Sequence, residues 1–129
     1  MKFARVVYLV AGIYGLIAVT PGFFMEGMTG RDHPPAVTHP EYYYGFFGVA
    51  LAWQVAFLII ARDPLRYRPL MIACFIEKAL FPIAVGVLYA LGRVPPHLLA
   101  LGGADVVLLV LFVTAWVKTA PTRVTSASP

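Results

Sequence analysis

The chain has 129 residues, 60% of them hydrophobic and 12% charged, with a mean hydropathy of +0.81. Ordinary soluble domains are about 45–50% apolar and about 25% charged. A chain this short keeps too much surface to hide the excess, so a water-soluble monomer is close to excluded, and disorder is excluded by the same numbers.

The N-terminus, Met1-Lys2-Phe3-Ala4-Arg5, is a basic lead into an apolar stretch, as in a signal peptide. No A-x-A-type cleavage site follows, and Pro21-Gly22-Phe23-Phe24 is a poor exit, so the segment is expected to be retained. Four apolar runs follow one another, at about 6–25, 42–61, 70–91 and 98–117. Each is close to the roughly 20 residues that a helix needs to cross about 30 Å of hydrocarbon. The period-two alternation of barrel strands is absent, and a backbone in lipid must satisfy its own hydrogen bonds, so the runs are expected to be helices.

The connections carry the punctuation. Glu26 to Glu41 is expected to be a polar loop, with Gly27, Gly30, Pro34, Pro35 and Pro40. In Arg62-Asp63-Pro64-Leu65-Arg66-Tyr67-Arg68-Pro69, Pro64 stops one helix and Pro69 suits the first turn of the next. Gly92-Arg93-Val94-Pro95-Pro96-His97 makes the third connection. Residues 118–129 are expected to be a flexible cytoplasmic tail after a single four-helix domain over 1–117.

Counting Lys and Arg sets an expected topology. In an antiparallel four-helix arrangement, Lys2, Arg5, Arg62, Arg66, Arg68, Lys118 and Arg123 fall on one side, and only Arg31 and Arg93 on the other. Both termini are then cytoplasmic, with Glu26, Asp32 and Glu41 outside, Tyr42, Tyr43 and Tyr44 at the outer interface and Trp116 near the inner one. The net charge of +4 is clustered between apolar runs, which fits a membrane surface better than nucleic acid.

Glu77 and Lys78, inside the third run, are the most informative pair. An ionisable residue within a span costs about 2.5–3.5 kcal/mol on insertion scales and marks a pathway, a relay or a buried pair. Adjacent helical residues point about 100° apart, so each is expected to face a different neighbour. Pro82 removes the N–H that would bond the Lys78 carbonyl, so a bend is expected beside the charges. Gln54 and Tyr14 lie at a similar depth, about 10–12 Å from the cytoplasmic ends of their helices. Glu77, Lys78, Gln54 and Tyr14 are expected to form one polar layer, read first as glue between helices, with Lys78 snorkelling toward the headgroups. A proton relay or ligand site is the rival reading.

Asp105 is expected on the outer side, about 10 Å too far in depth to pair with Glu77 or Lys78. An outer cavity, Thr20, or a place as a first-turn acid would suit it. His33, His39 and His97 share the outer side with Asp32 and Glu41, but the spacing His33-x5-His39 matches no compact metal motif, and no metal or other cofactor is expected. Arg62, Arg66 and Arg68 are candidates for anionic lipid headgroups, or simply set the topology. Gly45, Gly48, Ala52 and Ala56 make a small-residue face suited to close helix contact within the chain. Cys74, the single cysteine, is expected as core filler. No nucleophile elbow, phosphate loop, dinucleotide fingerprint, C-x-x-C or H-E-x-x-H is present.

The stretch His39-Pro40-Glu41-Tyr42-Tyr43-Tyr44-Gly45-Phe46, the turn from Arg62 to Pro69, and Glu77-Lys78 resemble a pattern of small bacterial inner-membrane proteins. The overall plan resembles the DoxX-like and BphX-like four-helix proteins. That resemblance implies four helices and a bacterial plasma membrane, and transfers no catalytic residue. The expected protein is all-α: a polytopic membrane protein, an antiparallel four-transmembrane-helix bundle with both termini cytoplasmic. The leading expectation of function is a non-catalytic accessory or assembly component, in contact with the lipid bilayer and its anionic headgroups. A membrane-protein partner or a homo-oligomer is left open. The rivals are a small proton-coupled carrier using Glu77, Lys78 and Asp105, and a lipid- or quinone-modifying enzyme with Glu77 as acid or base.

Overall fold

The computed structural model describes residues 1–122, and these contain helices and no strand. Five α-helices follow one another: α1 Lys2–Val19, α2 Glu26–Asp32, α3 Pro40–Arg62, α4 Leu70–Ala90 and α5 His97–Lys118. A 3₁₀ segment, Thr20–Phe24, extends α1. Four helical stretches are long and apolar enough to cross a membrane: Lys2–Phe24, Pro40–Arg62, Leu70–Ala90 and His97–Lys118. These match the four apolar runs to within a few residues at each end. Arg123 and most of the expected tail lie outside the described residues.

The helix boundaries follow from local chemistry. Pro40 opens α3, where its missing N–H costs nothing. Asp63 and Pro64 end it. Gly92, at φ +69°, takes the left-handed turn after α4 that a side chain would resist. α4 continues through Pro82. The helix α2 corrects the expectation of a loop from Glu26 to Glu41. It carries Glu26 in its first turn and Arg31 in its last, the arrangement that the helix dipole favours. At seven residues it has no apolar stripe for a periodicity argument to find.

By internal contacts the chain divides into two compact units. In the unit Arg5–Asp63, α1 and α3 pack antiparallel: Gly12 meets Leu58, Gly15 meets Gln54 and Gly22 meets Phe47, the partner number falling as the α1 number rises. A β-carbon on Gly15 would overlap the Gln54 carboxamide, and one on Gly22 the Phe47 ring. Tyr43 donates from its hydroxyl to the Gly22 carbonyl at 2.7 Å, pinning the end of this pair within a cluster of Phe23, Tyr44, Phe46 and Phe47. The close approach thus uses glycines of α1. β-Carbons on Gly45 and Gly48 would meet nothing within 4 Å, so those two positions of the expected α3 small-residue face lie open.

The second unit runs from Pro64 onward and includes Met1–Ala4. Here α4 and α5 pack antiparallel, with Gly102 against Pro82: a β-carbon on Gly102 would lie 3.4 Å from the Pro82 Cα. Met71, Cys74, Val85, Phe112 and Ala115 are buried, as expected for Cys74. The Lys118 ammonium lies 4.6 Å from the centre of the Phe3 ring.

Burial in the four apolar stretches is low, at 17–28% of their residues. Ile17 is 71% exposed, and Ile83 and Val110 are each 60% exposed. Soluble monomers rarely present apolar surface on this scale.

Candidate functional site

The charged residues within the long apolar helices of the second unit come together. Lys78 is buried, and its Nζ lies 3.3 Å from Asp105 Oδ1 and 3.4 Å from Glu77 Oε2. The Lys78–Asp105 contact is a hydrogen bond as well as an ion pair. Both carboxylates are mostly covered, at 21% and 22% side-chain exposure. Glu77 Oε2 is buried and has no hydrogen-bond partner among the described residues, so its contact with Lys78 is electrostatic.

This geometry corrects two expectations. Asp105 does pair with Lys78, because the two helices are not flush at the connecting loop. With Gly102 seated on Pro82, antiparallel counting sets Asp105 opposite residue 79. At about 1.5 Å rise per residue the depth difference to Lys78 nearly vanishes. Lys78, for its part, does not snorkel. Its flexible stem turns the ammonium toward both carboxylates, including that of its sequence neighbour. Two acids and one base give the cluster a formal charge of −1 when all three are ionised.

The other two residues of the expected polar layer belong to the Arg5–Asp63 unit. Gln54 is buried, and its Nε2 donates to the Ala50 carbonyl at 2.9 Å while its carboxamide covers Gly15. It fills the gap that the missing glycine side chain leaves. Tyr14 is 53% exposed on the surface of α1.

The set expected on the outer side, Asp105, His39 and Glu41, separates. His39 Nδ1 lies 3.3 Å from Glu41 Oε1, and both are exposed. Asp105 belongs to the Lys78 cluster instead. Tyr44 donates to Glu26 Oε2 at 2.7 Å. No three His, Cys, Asp or Glu side chains gather around a common point among the described residues.

Of the three arginines assigned to headgroups, Arg68 has another occupation. Its guanidinium carbon sits 3.5 Å from the centre of the Trp116 ring, and Nη2 donates to the Trp116 carbonyl at 3.0 Å. The arginine thus places its charge on the last turn of α5, where the dipole favours a cation. Phe75 meets the same indole edge-on at 5.9 Å. Arg66 lies 5.6 Å from the centre of the Tyr67 ring. Arg62 is exposed.

No protein-family model, curated protein or solved structure matches the chain.

Proposed function

We propose that this chain is a multi-pass protein of a bacterial inner membrane, four transmembrane helices with both termini cytoplasmic, acting as a non-catalytic accessory or assembly component. The membrane reading is supported by four helices of spanning length whose apolar side chains stay largely uncovered. The orientation follows from the seven-to-two bias of Lys and Arg, and the bacterial assignment agrees with the family resemblance drawn from sequence.

One observation carries the functional reading: Lys78 spends its charge on Asp105 and Glu77. A buried cation compensated in this way joins α4 to α5 and specifies their register. Polar contacts between membrane helices commonly serve that end. The test is to make Lys78→Met, Asp105→Asn and Glu77→Gln and measure folded yield in membranes beside any cellular phenotype. Loss of folded protein in Lys78→Met and Asp105→Asn supports the reading. Normal folding of all three with loss of the phenotype rejects it.

A second reading, a small proton-coupled carrier, draws on the charge excess of the same cluster. Two carboxylates share one ammonium, and Glu77 Oε2 has a spare acceptor site. Proteoliposomes loaded with a pH-sensitive dye test it: proton uptake in the wild type, abolished by Glu77→Gln in a normally folded protein, would favour this reading over the first.

A further inference from the structure

The Arg5–Asp63 unit holds an open groove of about 570 Å³, lined by Arg5, Leu9 and Ile13 of α1 and by Leu58, Ala61 and Arg62 of α3. The volume lies within the range of about 300–1,000 Å³ typical of small-molecule sites. The three α1 residues are spaced by four and form one stripe, and the α3 residues are spaced by three and one along a facing stripe. Because the helices are antiparallel, with Gly12 against Leu58, the start of α1 and the end of α3 lie at the same end of the unit. Both arginines therefore stand at one end of the groove. From Arg5 to Ile13 the helix rises about 12 Å, and every lining residue beyond the arginines is aliphatic.

Neither Arg5 nor Arg62 has an ion-pair partner among the described residues, and no acidic residue lines the groove. Two like charges held at one mouth without a counter-ion favour an anion. The aliphatic wall behind them favours a hydrocarbon chain joined to it. The end of the unit that carries both arginines is also the end that the Lys/Arg bias assigns to the headgroup level.

We propose that this groove binds one anionic phospholipid, its phosphate between Arg5 and Arg62 and part of an acyl chain along Leu9, Ile13 and Leu58. The site differs from the headgroup set read from sequence: it recruits Arg5, keeps Arg62 and needs neither Arg66 nor Arg68. It rests on the membrane reading above but on neither account of the Lys78 cluster.

Native mass spectrometry of the full chain, released from detergent micelles with added phosphatidylglycerol or phosphatidylcholine, tests the proposal. The wild type is expected to retain phosphatidylglycerol at least about tenfold better, as expected of two arginine–headgroup contacts. Arg5→Gln with Arg62→Gln brings that ratio close to one. Ile13→Trp, which fills the groove and leaves both arginines, also abolishes retention, while Arg66→Gln preserves it. Millimolar inorganic phosphate does not compete. Equal retention of the two lipids by the wild type, an undiminished ratio in the double arginine variant or in Ile13→Trp, loss in Arg66→Gln, or displacement by free phosphate would each overturn it. Circular dichroism in the same micelles confirms that each variant is folded. A chain that stays monodisperse without detergent would refute the membrane reading itself, a result separate from lipid selectivity.

Discussion

Arg68 lies over the indole of Trp116, 48 residues away, and donates to that residue's own carbonyl. One side chain thereby satisfies a terminal acceptor of α5, stacks on an aromatic face and ties the α3–α4 connection to the far end of the chain. Arg68→Lys keeps the charge but loses the planar stack and the forked donor. Arg68→Ala loses both the stack and the hydrogen bond. The expected cost is about 1–3 kcal/mol for the alanine variant and less for lysine, read from unfolding in a detergent titration. Equal stability of all three proteins would mean that the contact contributes nothing.

The Lys78 cluster makes a sharper prediction. Lys78→Met leaves two mostly covered carboxylates without their shared cation, and removing one partner of a buried pair costs about 3–5 kcal/mol. Lys78→Met with Asp105→Asn removes one of the two stranded acids, so the double variant is expected to be more stable than Lys78→Met alone. A double-mutant cycle on unfolding free energies reads the coupling. Additive single effects would mean that Lys78 and Asp105 do not interact in the folded protein.

The four long apolar helices are legible in the sequence because length and hydrophobicity can both be counted from it. That Lys78 would need a charged partner is legible for the same reason. Its partner is not. A position counted along one helix fixes no offset between two helices, and Gly102 packing on Pro82 brings Asp105 to the level of Lys78. Small residues mark close approach, but composition alone did not say which: Gly45 and Gly48 lie open, while Gly12, Gly15 and Gly22 carry the contact. The signal present was Gly12-x-x-Gly15, one turn apart on α1. The Arg68–Trp116 contact is not legible in the sequence because the two residues stand 48 positions apart.

The glycines supply a paired prediction of opposite sign. Gly15→Ala and Gly22→Ala drive a methyl into Gln54 and Phe47, so each is expected to destabilise by about 1–3 kcal/mol. Gly45→Ala and Gly48→Ala enter open space within α3, where alanine is better by about 0.5–1 kcal/mol. Thermal unfolding in detergent separates the two groups. Destabilisation by Gly48→Ala would show that this position packs closely in the folded protein.

The proposed orientation can be tested with thiol reagents, because the single native cysteine, Cys74, is buried within α4. In a Cys74→Ala background, Leu65→Cys introduces a thiol at a position that is 51% exposed in the α3–α4 connection. Thr38→Cys introduces one at an exposed position before α3. These two segments flank a single helix long enough to span, so they should lie on opposite sides of the bilayer. The Lys/Arg bias further assigns the arginine-rich connection to the cytoplasm. In intact cells a membrane-impermeant maleimide is expected to label Thr38→Cys, and to reach Leu65→Cys only after permeabilisation. The reverse pattern would invert the topology and put the Arg5–Arg62 groove at the outer headgroup level. Equal labelling of both in intact cells would mean that α3 does not cross.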